Sequence, residues 1–378
     1  MRRGFLYMLL VGACSTLALA QAPDGSRPPA EWKRAAPGRP IVLPADHGSH
    51  GDYKLEWWYY TGNLDAADGG RFGYQLTFFR IGVDPAPANP SRWTVRDLFM
   101  AHLALTDVSG RRFLFTERLN RAGPGWAGAE EGSYRVWNED WEAALAGRVH
   151  RLRGGGASHS GVPFAIDLAL TEGQPPVLHG IGGYSQKGSD PGNASHYYSL
   201  PQMATTGNIT LEGRSVPVTG LSWMDHEFGT SFLEPGQLGW EWFAIQLQDG
   251  RSLMLYRFRR ADGSLDPHSS GTIVAADGRF TPVSLRDLRL EPGRAWSSPS
   301  SGGRYPVEWT LALPREKLTL KARAVLDSQE LQTSGSTGVT YWEGAIDVTG
   351  EDNGKPVNGR GYLEMTGYVG AAMSNYLR

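Results

Sequence analysis

The segment Leu221-Ser222-Trp223-Met224-Asp225-His226-Glu227 sets two carboxyl groups and an imidazole side by side, next to an indole. Read as a β-strand, its side chains alternate between two faces. Leu221, Trp223, Asp225 and Glu227 then share one face, and Ser222, Met224 and His226 share the other. An acid beside indole and aliphatic surface loses hydration, which raises its pKa. A second carboxyl two residues along the same face raises one of the two further. A carboxylic acid kept protonated near neutral pH is a general acid. Nearby Trp and Tyr faces can stabilise a cation formed by its proton. Asp225 is the candidate donor, with Glu227 and His226 as partners for the returning proton. The competing reading places Asp225 and Glu227 at a rim, where they cap strands or form ion pairs.

Asp46, His47 and His50 precede the first strand and, with His226 and Glu227, could ligate zinc. No cysteine outside the N-terminal leader is available to help, and a His-x-x-His pair in a loop is weak evidence for a metal. The favoured reading is that this segment hydrogen-bonds across the mouth of the fold. On the next stretch, Glu56, Trp58 and Tyr60 share a face, as do Trp57, Tyr59 and Thr61. One of these faces is expected to line a ligand cavity. Glu56, Trp58, Tyr60, Tyr184, Tyr197, Trp223, Trp240 and Trp242 are the candidate ligand contacts, against the alternative that these rings are ordinary core. There is no Gly-x-Ser-x-Gly elbow for a serine nucleophile; Ser185 and Ser199 lack its strand-to-helix setting. The Gly-rich runs lack the following helix of a phosphate or dinucleotide loop, so no cofactor is implied.

The elements that must carry these groups read as strand upon strand. Runs such as Leu55–Leu64, Phe72–Ile81, Tyr197–Leu211, Val216–His226 and Trp240–Gln248 are rich in β-branched and aromatic residues. Asp68-Gly69, Asp249-Gly250 and Asp262-Gly263 punctuate them as turns. No amphipathic helix of three or more turns emerges. Roughly fifteen to twenty short strands imply sandwiches or barrels. The chain has 378 residues, with 49 Gly and 24 Pro, which suits two barrels better than one. The predicted fold is all-β: two lipocalin-like (calycin-type) antiparallel barrels over 46–235 and 236–378, with a seam near Glu234-Pro235-Gly236. Residues 21–45 read as an extended arm. The Gly/Ser-rich loops Gly154–Gly161 and Ser297–Gly303 read as a flexible lid or crossings.

The first twenty residues read as an export signal. Arg2 and Arg3 precede an apolar run from Phe5 to Leu19, and Ala18-Leu19-Ala20 matches a cleavage site. Val11-Gly12-Ala13-Cys14 offers a lipoprotein alternative, and Arg2-Arg3 a twin-arginine one. Cleavage after Ala20 removes the single cysteine and takes the formal charge from −2 to −4 by loss of Arg2 and Arg3. Nothing in that charge suggests nucleic acid, which calls for a concentrated basic face. No later segment is long and apolar enough for a helical span. Thirteen Trp and an 11% aromatic content require a large core or a ligand cavity.

Three stretches resemble the carotenoid 1,2-hydratase (hydroxyneurosporene synthase) family and its secreted lipocalin-like relatives, described as predicted hydrolases. They are Asp46–His50 running into Glu56–Leu64; Gly183–Ser185 through Ser195–Ser199; and Leu221–Glu227 followed by Gly239–Phe243. The resemblance covers most of residues 45–370. It implies two calycin-like barrels with a site in or between them, and water addition to an isoprenoid double bond without a redox cofactor. The family's proton-donating Asp matches Asp225. The export signal departs from the cytoplasmic or membrane-bound setting of carotenoid hydratases. Two other readings stay open beside hydration of an apolar, isoprenoid-like substrate: a carrier of an apolar small molecule or lipid in the cell envelope, and a secreted hydrolase.

Overall fold

The computed structural model describes residues 31–376; the segment expected to be an export signal, the first part of the expected arm and the last two residues lie outside them. Nearly every described element is a β-strand, and the described helices are single 3-10 turns such as Ala45–His47 and Leu285–Asp287. The all-β class expected from the turn-punctuated pattern is the one observed. No described helix is long and apolar enough to cross a membrane.

The first sheet is antiparallel. From one edge it runs Arg112–Arg121, Asp97–Asp107, Arg71–Gly82, Leu55–Ala66, Arg214–Ser231, Ala194–Leu211, Pro163–Glu172, Val149–Ala157, Trp141–Ala146, Arg135–Asn138 and Ala127–Ala129. Its two edges approach each other and nearly close a barrel. Arg118 Nη1 donates to Asn138 O (2.8 Å), and Asn138 Nδ2 donates to Phe99 O (3.1 Å) across the gap. Trp58, Tyr60, Tyr74, Leu103, Trp141 and Leu168 fill the interior. The second sheet is built the same way around Gln237–Leu247, Ser252–Arg260, Thr340–Asp352 and Lys355–Met365, with Phe243, Trp309, Leu320 and Ile346 inside. The chain passes from one sheet to the other between Ser231 and Gln237.

A third apolar cluster joins the outer faces of the two sheets. Tyr59, Tyr197 and Trp223 of the first meet Trp242, Ala244, Tyr256, Ala345 and Tyr362 of the second. The strand Leu55–Ala66 is therefore buried on both faces, one toward its own barrel and one toward the neighbour. Polar ties pin this contact: Gln246 Nε2 donates to Ser222 O (3.0 Å), Asn63 Nδ2 donates to Gly361 O (3.2 Å), and Arg71 pairs with Asp347. Close approach demands small residues. A Cβ on Gly73 would lie 2.7 Å from the Ala345 Cβ and 2.9 Å from the Tyr362 hydroxyl.

The glycine-rich segment expected to be a lid is not one. Gly154 to Ala157 complete the strand Val149–Ala157, which pairs with Pro163–Glu172. A Cβ on Gly155 would sit 2.5 Å from the Ala165 Cβ, so glycine serves close strand approach here rather than flexibility. The Ser297–Gly303 segment is likewise ordered: Ser298, Ser300 and Ser301 donate to Glu330.

Gly73→Val is predicted to lower stability by about 1–3 kcal/mol through overpacking of the joint between the sheets. Urea unfolding of the two proteins side by side checks this; an unchanged midpoint would contradict it.

Candidate active site

Between the two outer faces lies a cavity of about 350 Å³, within the range of small-molecule sites. The first sheet supplies Trp57, Tyr59 and Phe79, and the second supplies Trp240, Trp242 and Tyr256. Strand alternation explains the selection. In the pairing of Leu55–Ala66 with Arg214–Ser231, Trp57 lies opposite Glu227 and Tyr59 opposite Asp225. On the other flank, Ser199 lies opposite Asp225 and Tyr197 opposite Glu227. In-register cross-strand neighbours share a face, so three strands deliver these side chains to one side. A bulge between Leu200 and Met203 takes up Pro201 and Gln202, and Pro201 O accepts from Gln246 Nε2 of the second sheet (2.7 Å).

Asp225 is buried and lines the cavity. Its Oδ1 accepts from Trp223 Nε1 (2.6 Å) and from Ser199, while its Oδ2 accepts from Tyr197 (2.7 Å). Burial pushes the Asp225 pKa up to about 7, against the three donors, with the Glu227 charge adding to the rise. Oδ2 has only one donor, which leaves it a position for a proton. Ser199 also meets His179 Nε2 (2.6 Å), whose Nδ1 meets Thr272 (3.0 Å). Burial lowers the His179 pKa to about 3, with the Lys187 charge lowering it further. Ser199 is fully buried behind Asp225, so its hydroxyl serves the carboxyl and is not presented as a nucleophile.

Glu227 also faces the cavity, held by Lys187 Nζ at 2.6 Å and by the Ser195 hydroxyl. The Lys187 ammonium lies over the rings of Tyr197 (5.2 Å) and Tyr256 (5.5 Å), a cation–π arrangement joining the two sheets. Trp242 Nε1 donates to Tyr197 Oη (3.1 Å). Of the residues singled out in the sequence, the cavity thus collects Asp225, Glu227, Tyr197, Trp240 and Trp242. Trp223 stands behind Asp225 as a hydrogen-bond donor.

His226, Glu56, Trp58 and Tyr60 point the other way, into the first barrel, because they occupy the opposite strand faces. His226 Nε2 meets Glu56 Oε1 (3.0 Å), and Trp58 stacks on the His226 ring. Glu56 is also held by Arg80 (3.0 Å) and His50 (2.8 Å). Its carboxyl is kept well below the usual range despite burial, first by the Arg80 charge and then by the two imidazoles. Burial lowers His226 to about 4. Tyr60 joins Tyr134 and His150. Tyr184 lies away from the cavity, donating to Pro191 O. In place of the expected ligand contact, Glu56, Trp58 and Tyr60 join a polar core inside the first barrel.

The proposed metal set does not converge either, since His226 and Glu227 face opposite sides of their strand. Two other groups carry metal-binding donor types: His50, Glu56 and His226; and His47, His150 and Glu172. In the first, Arg80 already compensates the carboxylate. In the second, His47 Nδ1 meets Tyr198 (2.6 Å), while Glu172 Oε1 lies 3.1 Å from His150 and 3.6 Å from His47. With Trp58 Nε1 donating to His47 O (2.8 Å), the Asp46–His50 segment does hydrogen-bond across the barrel mouth.

The sequence offered the Trp57 and Tyr59 face only as the alternative to that of Glu56, Trp58 and Tyr60, and gave no role to Lys187, Glu343 and Glu364. Glu343 and Glu364 each interrupt an apolar strand, in Tyr341-Trp342-Glu343 and Tyr362-Leu363-Glu364-Met365. A carboxyl between aromatic and aliphatic neighbours on a hydrophobic strand was the available signal. They are in-register partners and line the cavity; Glu343 is buried and Glu364 is partly exposed.

The raised Asp225 pKa has a consequence for folding. Between about pH 4 and pH 7 the folded chain keeps a proton that the unfolded chain has lost, so stability falls as pH rises through that window. Asp225→Asn removes this dependence. Its stability relative to the parent is predicted to rise between pH 4 and pH 8 by on the order of 3 kcal/mol. Thermal or urea unfolding across that range tests it, and a pH-independent difference would contradict it.

Comparison with known proteins places this geometry in a family. The AttH-like family profile matches residues 34–368. A crystal structure of AttH from Nitrosomonas europaea is 32% identical, with a TM-score of 0.80, covering 89% of this chain and 100% of that one. Kievitone hydratase from Nectria haematococca shares the fold at 17% identity and a TM-score of 0.66, over 89% of this chain and 97% of that one. The dehydratase asqC of Emericella nidulans is 23% identical over 216 residues, which is 55% of this chain and 59% of the dehydratase. The likeness to hydratases read from the three sequence stretches stands, and the chain belongs to the AttH-like family.

Proposed function

We propose that the protein is an exported hydro-lyase that adds water to, or removes it from, an apolar isoprenoid-like substrate without a cofactor, with Asp225 as general acid. The observation that carries this reading is the Asp225 carboxyl, buried in an aromatic cavity and titrating near neutrality. The similarity to a dehydratase supports the reaction class. Arg2, Arg3, the apolar run after them and Ala18-Leu19-Ala20 support export.

In the hydration direction, protonated Asp225 transfers its proton from Oδ2 to the less substituted alkene carbon. The π electrons form the new C–H bond, leaving a tertiary cation and an Asp225 carboxylate. The faces of Trp57, Trp240 and Trp242 stabilise that cation. Water adds to it, and the resulting oxonium gives its extra proton to a carboxylate. Glu227, paired with Lys187, is the base suited to take it, and exchange with solvent returns the proton to Asp225. Dehydration is the same sequence reversed.

Native mass spectrometry of protein purified from its own cell envelope supplies the bound molecule, and turnover in H₂¹⁸O reports hydration. Asp225→Asn is predicted to lower kcat by about 10²–10⁴-fold. The parent's kcat/KM should fall as pH rises through about 7, because the active form is the protonated one. An Asp225→Asn protein that turns over normally would overturn the proposal. A protein that holds an apolar molecule unchanged, with no label incorporated, would establish a carrier instead.

A further inference from the structure

The cavity has a second polar pole that the hydration chemistry does not use. Glu343 and Glu364 lie opposite each other on adjacent strands, and in-register side chains on one face sit about 5 Å apart at Cβ. Glu364 Oε2 accepts from Trp240 Nε1 (2.8 Å). Among the described residues neither carboxyl has an ion pair. The Tyr59 phenol lies against Glu343, yet neither Tyr59 Oη nor Glu343 Oε1 completes a hydrogen bond of normal geometry. Glu343 is only 2% exposed. Unsatisfied groups buried this deeply cost stability, and these line the cavity wall.

We propose that Glu343, Glu364 and the Tyr59 hydroxyl form a binding subsite that donates hydrogen bonds to a carbonyl oxygen of the bound molecule. The substrate class is then an apolar, isoprenoid-like chain that carries a carbonyl as well as the reacting carbon. This deepens the reading above and rests on it only in placing the ligand in this cavity. Two adjacent carboxyls in an apolar wall cannot both ionise cheaply, so the pair retains at least one proton. Burial pushes Glu364 up to about 7 and Glu343 well above its ordinary value, with the charge of Glu364 adding to the rise at Glu343. A carboxylic acid kept neutral becomes a hydrogen-bond donor, which a carboxylate is not. The groups facing the pair are Tyr59, Tyr341 and Tyr362, with Asp225 and Glu227 across the cavity. Among the described residues that line the cavity, the Lys187 ammonium is engaged by Glu227. His102, also on the wall, is held neutral by burial, down to about 3.

The test is equilibrium binding to the mature Asp225→Asn protein, read by quenching of tryptophan fluorescence. This background removes the titration of Asp225. The probes are geranylacetone, the same chain with CH₂ in place of the carbonyl, and geranylamine. At pH 6 the ketone is expected to bind about ten-fold more tightly than the hydrocarbon, the value of one good hydrogen bond. That preference should weaken at pH 9, as Glu364 loses its donor proton while the Tyr59 hydroxyl still donates. Adding Glu343→Gln and Glu364→Gln should preserve it at pH 9, because amides donate at any pH. Glu343→Leu with Glu364→Met should reduce it equally at both pH values, leaving only the part that the Tyr59 hydroxyl supplies. No ketone preference in the parent-pocket protein at pH 6, or an amine that already binds more tightly than the ketone at pH 6, would overturn the proposal without any variant at this pair. Turnover is not read here, so a protein that never hydrates an alkene would still show the ketone preference if the subsite is real.

Discussion

Desolvation of carboxyl groups between two aromatic sheet faces is the constraint around which the molecule is arranged. Each barrel has its own packed interior. The contact between them buries a third set of side chains, and acids are trapped within it. Asp225 comes from the first sheet, and Glu343 and Glu364 from the second. In water these groups would ionise below pH 5. Between the sheets their charged forms lose hydration without gaining an adjacent cation, and the neutral forms persist. Glu227 is the contrasting case. It shares the wall with Asp225, but Lys187 stands 2.6 Å away. One cavity therefore holds acids in proton-donating form beside a carboxylate compensated by an ammonium.

Keeping such groups in place requires that the strands beneath them cannot slip. A one-residue slip of Arg214–Ser231 would turn Asp225 into the barrel and His226 into the cavity. The inward side of that strand resists this. His226 is locked between Glu56 and Tyr198, and Glu56 is locked by Arg80 and His50. Arg80 in turn reaches Asp97 and the carbonyls of His50 and Tyr53. This buried polar network contributes register more than stability, since a buried ion pair gains little net free energy over an apolar core. Its cost when broken is large, because a lone charge remains. The histidines and glutamate that looked like ligand or metal contacts thus act behind the wall, holding the strands that carry the reacting groups.

Much of the architecture was legible in the residues. Period-2 alternation put Asp225 and Glu227 on one face and His226 on the other, and that split is what the structure has. Turn dipeptides and aromatic strands gave an all-β chain, and the Trp-rich stretches gave the hydratase likeness. The choice of face on Leu55–Ala66 was not legible, because both faces are buried and both are aromatic. Glu56, Trp58 and Tyr60 were as plausible as Trp57 and Tyr59 until the second sheet was seen to cover the latter pair. The Gly154–Gly161 segment misled for a related reason: glycine signals flexibility or close approach, and only the partner strand tells which.

By itself the sequence determined what is local and periodic: which residues form strands, where they turn, and which neighbours along a strand share a side. The tertiary structure alone decided which side faces the cavity and which acids meet there. Glu343 and Glu364 lie more than a hundred residues from Asp225, and Lys187 reaches Glu227 from a separate loop. Their proximity comes from the packing of one sheet on another. Their protonation comes from the water that this packing excludes, and no single strand contains that information.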